Sequence, residues 1–393
     1  MKKTVLISCA LLTTIIGVYN YCYYDSEKYV LQDEVGNQII NTNALTMMYE
    51  TEYQSGEYQV SSDSVWPQEG YTFNAELSRC ENGSTLTWDD ENKKVQVKAN
   101  TSDKCYVYFD ANPLPLAEYI INKVYIEDGE NGLYYHDGQG SYINADQEAG
   151  DNSYRYVGAN PNNFVCFGSD VTPCPADNLY QIIGVFDGQI KLIKKMGFYN
   201  VTWGGVPNEE ELVSGIKDNS EFEIVPLIDW HPEVCQKVDW SSSALDNYYG
   251  INYTEYMDKI AESKWNIETF NLSSYNIKTV FSNEITNEHV YLGKIGIMYV
   301  SDYGYASLPD YWLESLSTND NDRNINNWLY TELVEWTISK RGDCEANLIY
   351  KGNIGATQIV DSIVYYSRPT FYLKPDVLYI SGTGTQEDPY RIA

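Results

Sequence analysis

Asn112-Pro113-Leu114-Pro115 constrains this chain more than any other stretch. Each proline lacks an N–H and fixes φ, so no helix or sheet interior runs through the pair. At 393 residues the chain is long for one core, and the break reads as a boundary between two folded parts. We divide it into an N-terminal segment (1–28), a first domain (29–111) and a second domain (112–393).

The patterns on either side of the break differ. Before it, Lys94-Val95-Gln96-Val97-Lys98 and Cys105-Tyr106-Val107-Tyr108-Phe109 alternate with period two, bounded by turn residues such as Glu81-Asn82-Gly83-Ser84. Leu86 and Trp88 lie two apart and would share a face. A small antiparallel β-sandwich is expected here. After the break Leu116, Ile120, Ile121 and Val124 recur at helical spacing. Tyr180–Ile193 reads as a hairpin turning at Asp187-Gly188. Asn208 with Glu211 suggests a capped helix, and Tyr256, Met257 and Ile260 suggest another that ends before Trp265. Helices on small sheets with short strands and long loops make the class α+β.

Lys2-Lys3 and the apolar run from Thr4 to Val18 mark the chain for export, as a signal peptide or an anchor. No small-x-small cleavage site follows Gly17, and Tyr19, Tyr21, Tyr23 and Tyr24 suit a membrane interface. The anchor, an apolar helix, is the favoured reading. Export makes disulfides the expected state of the later cysteines. Cys80 and Cys105 bracket a strand pair and are expected to join. Cys166 and Cys174 flank a turn-rich loop and are expected to staple it. Cys235 and Cys344 pair by elimination. No spacing forms the double Cys-x-x-Cys of a zinc site.

Composition narrows the partners. The net charge is −30 and no Lys/Arg cluster stands out, which argues against nucleic acid, whose phosphates need such clusters. Membrane contact is expected through the N-terminal segment only. Asp229-Trp230-His231-Pro232-Glu233 is the one local run with acid, imidazole and indole together. It would make a sugar-binding or hydrolytic edge. It equally suits a capped loop packed on its tryptophan, the reading we prefer. Trp312 and Trp328 are further candidate stacking surfaces. Asn319–Asn324 is rich in hard oxygen donors, and with Asp310 it offers Asp320 and Asp322 to calcium, a candidate cofactor where none is assigned. The run lacks the Gly and closing Glu of an EF-hand loop, and the ordinary reading is a solvated loop.

Family resemblance rests on longer blocks. Lys294–Ala306, Asn327-Trp328, Glu335–Ser339, Arg368–Leu373 and Ser381–Ile392 resemble the C-terminal module of a surface-protein family of gut Gram-positive bacteria. That module is similar to the formylglycine-generating-enzyme-like branch of the C-type-lectin fold. Trp66-Pro67, Cys80–Gly83 and Lys104–Asp110 resemble the β domain that accompanies it. The resemblance implies a lectin-like second domain on an anchored or secreted surface protein. The reactive cysteines of the formylglycine-generating enzyme have no counterpart here, so its oxidase activity is not carried over. The expected function is non-catalytic extracellular recognition or adhesion, with a glycan or surface protein as ligand. The alternatives are a carbohydrate-active or modifying enzyme using Asp229, His231 and Glu233, and a pilus-like structural subunit.

Overall fold

The computed structural model describes residues 45–61, 67, 70–99, 103–125, 132–139, 147–202, 256–266, 276–286, 290–342, 345–358 and 364–393, with the backbone of four short strands before residue 45. The protein is α+β, dominated by strands, and divides into two compact units, Met1–Leu114 and Pro115–Ala393.

In the first unit the strand Cys105–Ala111 is central. It runs parallel to Leu45–Glu50 and antiparallel to Tyr71–Cys80, with Tyr58–Val60 at the far edge. A second sheet holds the hairpin Thr85–Asp89/Lys94–Ala99. Alternation sends Val107 and Phe109 inward, where they meet Val95, Leu86 and Trp88. The Trp88 indole stacks on Phe73 at 5.9 Å and meets Phe109 edge-on at 5.4 Å. Cys80 and Cys105 are direct cross-strand partners and form a disulfide, closing the sheet at one end. For residues 1–28, expected as an apolar helix, the described backbone is instead the strands Cys9–Thr14 and Gly17–Tyr23, which join the second sheet. No described helix is long and apolar enough to cross a membrane.

The second unit is built on the hairpin Leu179–Phe186/Gln189–Lys194. Asp187 and Gly188 turn it at φ +47° and +75°, the left-handed pair a tight two-residue turn requires. Both strands are covered on both faces, so they read as near-continuous apolar runs. The late strand Pro369–Tyr372 pairs with Gln189–Lys194 and then with Ile295–Ile297. Tyr154–Tyr156 and Leu133–Tyr135 extend the other side. A five-stranded sheet of Phe198–Thr202, Val364–Ser367, Val334–Gly342, Glu345–Tyr350 and Asn353–Gln358 completes the frame.

Helices are few. Leu116–Tyr119 continues into a π-turn at Ile120–Val124, where helical spacing was read. Ile277–Ile285 is capped by the Asn276 side chain and buries Ile277, Val280, Phe281 and Glu284 on one stripe. Its C-terminal part approaches the short helix Val300–Tyr305, since Glu284 meets the Ser301 N–H. The helix expected over Tyr256–Ile260 is one 3-10 turn, Met257–Lys259. Ile260 bridges to Leu373 and the Ala261 N–H donates to the Tyr372 carbonyl, so pairing with the late strand replaces further helix. The Asn208–Ile216 helix lies outside the described residues.

Candidate functional site

Titratable groups concentrate in the core of the second unit. Lys191 lies on the central strand with both faces covered, opposite Gly184. Its Nζ sits 2.6 Å from Asp302 Oδ2, and both side chains are almost wholly buried (1% and 2% exposed). Four rings surround the ammonium: Tyr299 at 4.6 Å, Tyr372 at 5.4 Å, and Phe186 and Trp265 at 5.6 Å. Such rings offer their negative faces to a cation that has lost its water. Asp302 is the third residue of Val300–Tyr305, and its Oδ2 also accepts the Tyr299 N–H at 2.8 Å. Burial, the largest single influence, works against the ammonium, but the Asp302 charge, Tyr372 and the Asp302 hydrogen bond together overcome it and raise the Lys191 pKa.

Arg155 shares the Phe186 ring with Lys191, at 4.7 Å, and also covers Tyr305 and Phe281. Its Nη2 donates to Asp151 at 2.6 Å and its Nε to Ser153 Oγ at 2.8 Å. Glu284 accepts the Ser301 N–H at 3.3 Å and the Ser339 hydroxyl at 2.7 Å. Burial, only partly offset by those two hydrogen bonds, pushes its carboxyl up to about 7. A third ion pair joins Arg368 to Glu335 through two hydrogen bonds of 2.7 and 2.9 Å. His136 Nδ1 accepts the Ala149 N–H at 3.1 Å, and its ring stacks on Trp312. Burial first, then the Arg155 charge, hold the imidazole neutral.

The expected site residues fall elsewhere or change role. Trp312 and Trp328 are core residues and not stacking platforms (1% and 7% exposed), with indole N–H groups donating to the Ser307 and Tyr156 carbonyls. Asp320 caps the short helix Asn321–Ile325 by accepting the Arg323 N–H, while Asp310 and Asp322 are exposed. Within this stretch the chain's own cation, Arg323, gathers three backbone carbonyls from outside it. The Arg323 guanidinium donates to Ser315 O at 3.0 Å, Thr318 O at 2.6 Å and Gly352 O at 3.0 Å. Among the described residues, Asp310, Asp320 and Asp322 do not converge into a ligand set. The one convergent group among the described residues is Cys80, Asp103 and Cys105, whose sulfurs are spent in the disulfide. Asp229, Trp230, His231, Glu233, Cys235 and Cys344 lie outside the described residues.

One surface segment is built rigidly. The disulfide Cys166–Cys174 closes a loop whose residues Asp170, Val171, Thr172 and Pro173 are exposed. Arg391 donates to the Ser169 carbonyl at 3.2 Å and the Val171 carbonyl at 2.9 Å. The Tyr256 hydroxyl donates to the Asp170 carboxylate, and Asn178 Nδ2 to the Phe167 carbonyl at 2.9 Å. Val171, 61% exposed, stands at the tip. The turn-rich composition and paired cysteines marked this loop in the sequence; the three distant donors did not. Comparison with family models, curated proteins and solved structures found no match for this chain.

Proposed function

We propose that the chain is an exported recognition protein of a bacterial surface, anchored through its N-terminal segment or secreted, that binds a glycan or surface protein without chemical turnover. The reading takes the first unit as a β-sandwich and the second as a lectin-like module of the surface-protein family it resembles. Two disulfides support an oxidising compartment. The observation that carries the reading is the Cys166–Cys174 loop. Binding costs free energy when a loop must be ordered, and this one is fixed beforehand by a disulfide and by side chains of Tyr256, Asn178 and Arg391. An apolar tip on a fixed loop is the arrangement that inserts into a partner's concave surface.

The purified ectodomain, applied to a glycan array and to immobilised surface proteins, should bind a defined member of one class. Val171→Asp should weaken that binding at least tenfold with an unchanged melting temperature. Absence of any ligand on both panels, or equal binding by the variant, would overturn the reading.

A further inference from the structure

The geometry points to a covalent cross-link: the Lys191 amine and the Asp302 carboxyl condense into an intramolecular amide, with Glu284 as the acid–base group beside them. Of the three buried ion pairs among the described residues, two use arginine, whose guanidinium is a poor nucleophile and keeps its proton. Lys191–Asp302 alone supplies a primary amine. A nitrogen 2.6 Å from a carboxylate oxygen lies roughly 3–3.5 Å from the carboxyl carbon, the spacing of a near-attack arrangement.

The surroundings favour the step. Tyr299, Tyr372, Phe186 and Trp265 enclose the amine and exclude water. The resting pair is ionised, with the ammonium held by the Asp302 charge. The step opens with one proton passing from ammonium to carboxylate, which removes two buried charges at once and leaves an amine facing a carboxylic acid. The Tyr299 N–H bound to Asp302 Oδ2 polarises the carboxyl and stabilises negative charge as it develops on that oxygen. Glu284 contacts the backbone of Ser301, the residue before Asp302. Its two oxygens face the Ser301 N–H at 3.3 and 3.4 Å, and its titration responds to Asp302 and to Lys191. With its carboxyl pushed up to about 7, it can both give and take a proton near neutrality.

The chemistry balances without an external reagent. The Lys191 nitrogen lone pair forms a bond to the Asp302 carboxyl carbon. Glu284 gives its proton to the departing hydroxyl and takes one from the attacking nitrogen, so it ends unchanged. Ammonium and carboxylate become one amide and one water. No electrons are transferred, and two buried charges disappear. The bond would join the strand Gln189–Lys194 to the helix Val300–Tyr305 across 111 residues of chain. This inference does not depend on the recognition reading.

Intact-mass measurement of the full chain, denatured and reduced, tests it directly. The expected mass is that of the sequence less one water, with a tryptic map in which the Lys191 peptide is joined to the Asp302 peptide and cleavage after Lys191 is lost. Lys191→Met and Asp302→Ala should each restore the full mass. Glu284→Gln should slow linkage about a hundredfold or more, and Glu284→Asp should recover part of the rate. The mass is read on unfolded protein, so the wild-type chain decides the matter even where a variant folds poorly. A wild-type mass with no water lost would overturn the proposal and leave an ordinary ion pair. Linkage at the wild-type rate in a folded Glu284→Gln chain would overturn the part assigned to Glu284.

Discussion

A buried charge is tolerated only when its partners are as fixed as it is, and Lys191, Arg155 and Arg368 each meet that condition with a carboxylate. Glu284 does not: it has hydrogen-bond donors but no cation in contact among the described ion pairs. Its carboxyl therefore titrates at about 7 when folded, against 4.5 for an ordinary glutamate. Between those values the folded chain binds more protons than the unfolded one, so stability falls as pH rises across the window and levels off above it. The full effect is about 3 kcal/mol at most. Burial is the main cause and does not depend on whether Lys191 and Asp302 are joined. Urea titrations from pH 4 to 8 should show the decline in the wild type and its loss in Glu284→Gln. The sequence held clues to this cluster that chemical type obscured. Lys191 interrupts Ile190, Leu192 and Ile193, and Glu284 completes the stripe of Ile277, Val280 and Phe281. Reading by residue type drew attention to Trp312 and Trp328, which burial makes ordinary packing.

Local chemistry made some elements legible. Asp187-Gly188 can hardly be anything but a tight turn, and the alternation around Val107 fixed its strand. Where long-range partners decide, the sequence was silent or misleading. Ile260 has helical spacing from Tyr256, yet Leu373 recruits it into a bridge. Asn319–Asn324 has the composition of a cation site, yet Asp320 serves a helix cap, Asp322 is exposed, and Arg323 reaches out to the carbonyls of Ser315, Thr318 and Gly352. Melting curves in millimolar calcium and in chelator should therefore coincide. Arg323→Met should lower stability by about 1–3 kcal/mol by removing three hydrogen bonds donated by a buried guanidinium, measured by chemical denaturation. A calcium-dependent rise in melting temperature would show that the guanidinium does not hold this place.

The chain divides into the compact units Met1–Leu114 and Pro115–Ala393, and the described residues of each hold a hydrophobic cluster of their own. A fragment from Pro115 to Ala393 should fold and melt in one cooperative transition, followed by circular dichroism. The same fragment stopped at Ser367 should melt without cooperativity, because it lacks Pro369–Tyr372; cooperative melting there would mean the sheet closes without that strand. The position of Pro369–Tyr372 has a consequence in time. Gln189 reaches the carbonyl of Leu373, 184 residues further on, and a ribosome adding roughly 5–20 residues per second needs on the order of 10 s or more to cover that distance. Throughout that interval the central hairpin lacks its neighbour and exposes an apolar edge. On the export reading, the delay keeps the second unit threadable for passage through a pore. It also obliges the cell to shield that edge until the last strand arrives.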